Sequence, residues 1–249
     1  MITFQMWEPF RQTLIEEHRF YVKHAHAKVL SQFNDIETES EAVAKESLKT
    51  RLESFNPDRD CVGSSHELAY EDSVTFYLLL SEMKKNVFLA IIAGMFQLWD
   101  KKHREYLIHE FRFLNKGNNL EKAIWKASTH QLVELWSAFG LDLTQFEFYN
   151  QLEALQLIVN VFKHGNGQSF DALKKRFSEY LRPSFLLGIE LGSSEGLDHS
   201  NLNISIEQFE IFSNAIISFW QAIPPEIDSQ GEVRLPKLFE DAFSKDYTE

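Results

Sequence analysis

From Tyr70 the chain runs through LLLSEMKKNVFLAIIAGMFQLWDKKHREYLIHEFRFL in one long helical pattern, broken only at Asn115-Lys116-Gly117-Asn118-Asn119, a turn by composition. That segment points to an all-α protein. A bend near Lys84–Asn86 would divide it in two. Ten Gly and six Pro in 249 residues suit long helices and disfavour a turn-rich β protein. The 22 Phe are spread through the helical segments, as core packing requires, and not gathered into a binding box.

Other helices follow from their end signals. Pro9 suits the first turn of a helix reaching to about Phe33. Residues 37–54 form an acidic helix, closed by the loop FNPDRDCVGSS. Leu120 to Phe139 reads as a helix ended by Gly140. Thr144, with Glu147 three residues on, has the form of a capping box opening a helix to His164, which stops at Gly165-Asn166-Gly167. Residues 169–181 make a basic amphipathic helix, and 182–203 read as irregular, with GSSEG (192–196) the most flexible spot. Ser205 and Gln208 form a second capping box at the start of a final helix, 205–222. The polar tail after Pro224-Pro225 is expected to be loosely ordered. The expected division is 1–65, an N-terminal helical region; 66–223, a helical bundle; and 224–249, the tail.

Composition excludes several function classes. A net charge of −12 rules out a general nucleic-acid binder held by bulk electrostatics, although a local basic patch or a dimer groove can still meet RNA. The most apolar run, Val87 to Phe96, is about half the ~20 residues a membrane span needs. No leader is visible at the start, so a cytoplasmic protein without membrane contact is expected. The single Cys61 reads as an incidental or structural thiol. His24/His26 and His103/His109 are spaced off a common helical face, no metal motif occurs, and neither metal nor cofactor is expected.

The helix 144–164 is the most informative. Phe148, Leu152, Leu155, Val159 and Phe162 form one apolar seam, and Leu157, Ile158 and Val161 fill much of the remaining surface. Glu153, Gln156, Asn160, Lys163 and His164 fall within one arc of about a quarter-turn at 100° per residue. A polar stripe on a buried helix faces a cleft, a partner helix or an interface. His164 offers a general acid or base, with Asn160 and Lys163 to hold a phosphate, and Gly165 lets a substrate backbone approach. The plainer alternative is a polar Asn160–His164 pair that merely caps the helix.

Residues 159–164, Val-Asn-Val-Phe-Lys-His, resemble the Arg-Asn-x-x-x-His motif of HEPN proteins (higher eukaryotes and prokaryotes nucleotide-binding). These are helical bundles common in toxin–antitoxin, CRISPR-associated and phage-defence systems. The order of elements over 70–222 is also similar, including Gly-x-Gly after the His and the closing LNISIEQFEIFSNAIISFW. The resemblance implies a HEPN-like helical bundle with additional N-terminal helices. It further implies a homodimer meeting through the motif helix, and either of two functions. One is a metal-independent endoribonuclease with His164, Asn160 and Lys163 catalytic, and Gln156, Gly165, Gly167, Lys174 and Lys175 against RNA. The other is a catalytically inactive module that binds a protein partner. The motif's Arg position holds Val159, so Lys163 is the cation at hand.

Overall fold

In a computed structural model the chain is all-α, with a few short strands. The structure describes residues 2–113, 117–182, 184–186, 189–191, 196–229 and 233–248. The expected turn at 115–116 and most of GSSEG (192–195) lie outside the described residues.

Strand β1 (Ile2–Gln5) leads into α1 (Glu8–Lys28), a 3-10 turn at Leu30–Phe33, α2 (Ile36–Glu53) and α3 (Val62–Arg112). Then come α4 (Asn119–Lys126), α5 (Thr129–Ala138), α6 (Phe148–His164) and α7 (Gln168–Arg176). A hairpin, β2 (Ser184–Leu186) with β3 (Ile189–Leu191), precedes α8 (Ile206–Ala222), β4 (Glu226–Ser229) and α9 (Lys237–Thr248).

The long pattern is one continuous helix, α3, and the expected bend at Lys84–Asn86 is not there. The expected helix over Leu120–Phe139 is two helices. Ala127 and Ser128 are extended between them, and Ser128 caps α5 through a reciprocal box with Gln131 (3.2 and 2.8 Å). At the next start Asp142, not Thr144, is the cap: its carboxylate accepts from the Thr144 N–H (3.0 Å) and hydroxyl (2.6 Å), and α6 begins only at Phe148. The Ser205–Gln208 box opens α8 as expected.

The chain divides into two compact units, residues 1–22 with 92–249 and residues 23–91, so the expected borders at 65/66 and 223/224 do not coincide with them. In the second unit α2 and α3 are joined at Asp72, which accepts from Ser47 Oγ (2.6 Å) and pairs with Arg51 (2.8 Å). Leu30, Phe33, Ile36 and Leu89 are its buried apolar residues near the turn.

The first unit holds an aromatic core. Phe4, Trp136, Phe209, Phe212, Phe219, Trp220 and Phe239 are all fully buried. The described residues 224–229 and 233–248 belong to it instead of trailing as a loose tail. β4 pairs antiparallel with β1, and Phe239 of α9 is fully buried. The docking of α9 has a polar anchor as well. Asp246 accepts from the Asn119 N–H (2.8 Å) and the Leu120 N–H (3.0 Å), donors that the first turn of α4 cannot satisfy itself. Asp246→Ala should therefore destabilise this unit by about 1–2 kcal/mol in urea unfolding. An unchanged midpoint would show that α9 does not cap α4.

Candidate functional site

Helix α6 is buried on most sides because its sequence is apolar on most sides. Leu152, Ala154, Leu155, Ile158, Val159 and Val161 are all buried, and the helix packs against α7 and α8. It ends at Gly165, whose φ of 73° is left-handed and whose N–H reaches the Val161 carbonyl (2.8 Å). A side chain at position 165 would be strained in that conformation. Gly167 has extended backbone and open space around it, so nothing there requires glycine.

The stripe separates into two parts. Towards the C-terminal end, Asn160 is half-buried while Lys163 and His164 are exposed. Among the described residues none of these three has a hydrogen-bond or ion-pair partner, so the alternative of a paired Asn160–His164 cap does not hold. Towards the N-terminal end, Glu153 is gripped by both terminal guanidinium nitrogens of Arg176 from α7. Arg176 also lies over the Phe177 ring, 5.0 Å from its centroid. Of the basic residues on α7, Lys175 is exposed and Lys174 half-buried, while Arg176 is committed to Glu153.

Gln156 is not at the Lys163–His164 end. With Glu153 it lines a cavity of about 70 Å³, also lined by Trp99, His103, Phe148 and Phe219. His103 is buried, and its Nε2 accepts from the Trp136 indole (2.7 Å), so its proton sits on Nδ1. Burial, followed by the charge of Arg104, lowers its pKa to about 3. Neither His103 Nδ1 nor Trp99 Nε1 has a hydrogen-bond partner among the described residues.

One residue at the helix end was not legible in the sequence. His199 sits beside Gly165, its ring 3.7 Å from where a Cβ there would lie. Asn166 Oδ1 accepts from the His199 N–H (2.8 Å) and lies 3.3 Å from Nδ1. The short 3-10 turn that carries His199 is fixed by Asp198, which caps Ser200, while Asn201 reaches back to Asp198. The Asp-x-x-Asn spacing was the available signal, hidden in a stretch read as irregular. The site thus gathers an imidazole, an ammonium and an amide at one helix end, with a second imidazole beside the glycine that follows.

Among the described residues, no group of three or more His, Cys, Asp or Glu is placed to hold a metal ion, and no helix is long and apolar enough to cross a membrane. Comparison with family models, curated proteins and solved structures finds no match to this chain.

Proposed function

We propose that the chain is a HEPN-like protein of the toxin or phage-defence kind that cuts RNA without a metal, using the exposed end of α6. The observation that carries this reading is that Asn160, Lys163 and His164 stand together, unpartnered among the described residues, at the end of an otherwise buried helix. Unpartnered polar groups at the open end of a largely buried helix are free to take a ligand, and this set suits a phosphodiester.

RNA carries its own nucleophile. His164 takes the proton from the 2′-hydroxyl as the O2′–P bond forms and the P–O5′ bond breaks, and the leaving 5′-oxygen is protonated by His199. Lys163 and Asn160 hold the non-bridging oxygens as negative charge builds on them. Lys174 and Lys175 extend the cationic surface towards the strand, and a homodimer through α6 would bring two such ends together.

Purified protein should cleave tRNA or total RNA in the presence of a chelator. His164→Ala should slow cleavage by at least ~100-fold and Lys163→Ala by ~10-fold. Activity untouched by both substitutions would remove the assignment.

A second reading rests on Val159. It occupies the motif's Arg position and is only 2% exposed, inside the apolar seam. That suits a catalytically silent HEPN-like module whose α6 end meets a protein partner. Folded wild-type protein that leaves RNA intact would favour it.

A further inference from the structure

A second site lies away from α6, where the start of α1 meets the C-terminal part of α3. There Gln5, Trp7, Pro9, Phe10 and Thr13 face Lys102, Glu105, Tyr106, His109 and Glu110 across a cleft of about 510 Å³. That volume is within the usual range for small-molecule sites. We infer that this cleft binds a small organic cation, an amine or guanidinium carried on a flat apolar body.

Three observations converge on that chemistry. Trp7 and Phe10 are 71% and 41% exposed, so two aromatic rings lie open at the rim, one of them stacked on Tyr106 (6.4 Å). An aromatic face attracts a cation held against it. Tyr106 itself is 2% exposed, yet its hydroxyl has no hydrogen-bond partner among the described residues. Burial and the nearby Glu110 charge push this phenol well above its usual pKa, so it stays protonated and neutral, with lone pairs for an N–H donor.

The third observation is the balance of charge. The lining carries two carboxylates, Glu105 and Glu110, against one ammonium, Lys102, which lies 3.3 Å from Glu17. Glu110 is buried, accepting from the Gln5 N–H (2.7 Å) and lying 3.1 Å from His109 Nδ1. Arg11, whose charge also reaches Tyr106, is paired with Glu8 (3.0 Å) and donates to the Gln221 carbonyl (3.0 Å). Glu105 lies 3.7 Å from Lys101, and Arg11 keeps its Nη2 without a hydrogen-bond partner among the described residues. The excess of negative charge is therefore a property of the lining itself, two carboxylates to one ammonium, beside the unpartnered Tyr106 and the open aromatic rim. An anionic ligand would face two carboxylates.

Calorimetric titration with tryptamine and with tryptophol, its neutral analogue bearing a hydroxyl in place of the ammonium, tests the site. The wild type should bind tryptamine saturably and tryptophol at least ~10-fold more weakly. Tyr106→Phe removes only the unpartnered hydroxyl. It should weaken tryptamine ~5-fold while leaving the thermal midpoint unchanged or higher. Trp7→Ala, at an exposed position, should also weaken it ~5-fold. No saturable binding, equal binding of the two probes, or unchanged tryptamine affinity in both variants would each overturn the inference. RNA cleavage plays no part in the readout.

Discussion

Replacing Arg104 with alanine should destabilise the first compact unit by about 3–5 kcal/mol, the largest loss expected from any single substitution proposed for this protein. Its side chain is 8% exposed and each of its three guanidinium nitrogens is engaged. Nε and one terminal nitrogen hold the Asp100 carboxylate in a fork (2.8 and 3.0 Å). The other terminal nitrogen donates to the carbonyls of Ile124 and Ala127 (2.9 Å to the latter), where α4 ends and α5 has not yet begun. Those carbonyls belong to a helix end that cannot satisfy them internally. Alanine would leave them and the half-buried Asp100 without this donor. Arg104→Lys should recover only part of the loss, because an ammonium cannot fork and reach the carbonyls together. All five Trp residues lie in this unit, so indole fluorescence during urea unfolding follows it specifically. A shift equivalent to less than ~1 kcal/mol, at unchanged slope, would show that Arg104 is not the clasp.

Arg104 also marks the limit of what the sequence discloses. Helices announced by local chemistry were legible. The apolar seam of α6, the Ser205–Gln208 box and the stop at Gly165 are each settled by residues a few positions apart. The division of Leu120–Phe139 into α4 and α5 was not read, although Ser128 and Gln131 carry its signal locally. What was illegible depends on distant partners. Arg104 reads as one more charge on a long helix until Ile124 and Ala127 arrive over it. Residues 226–229 read as polar tail because a short strand is recognisable only once β1 lies alongside. Asp246 has no visible purpose until α4 presents its N-terminus. At the candidate site, the stripe from Asn160 to His164 was legible because it is helical. His199 was not, since the contact with Gly165 and Asn166 spans 33 residues of chain.

Acid should weaken the fold already between pH 7 and 5. His18 has its pKa lowered to about 4, chiefly by burial, with its Nε2 2.9 Å from the Ser213 hydroxyl. His103, lowered to about 3, stacks on Trp99 (5.6 Å) and lies edge to edge with Trp136, whose indole N–H it accepts. Protonating His103 would set a second donor against that N–H among buried aromatic rings. In the unfolded chain both imidazoles take protons near pH 6.5. Their folded pKa values lie below that, so the unfolded state binds more protons throughout the interval between. The stability they confer is complete above about pH 6.5 and is lost as pH falls towards 4 and 3. Each histidine contributes a slope of up to about 1.4 kcal/mol per pH unit. Between pH 7 and 5 the pair should therefore remove up to ~4 kcal/mol, less where solvent screens the partly exposed His18. The carboxylates whose pKa values are lowered, Asp72, Asp142 and Glu207, act below this window and do not obscure it. Urea midpoints at pH 7, 6 and 5 should fall steadily in the wild type, and His18→Asn should remove close to half of the slope. A flat profile from pH 7 to 5 would mean that neither imidazole is held neutral by burial.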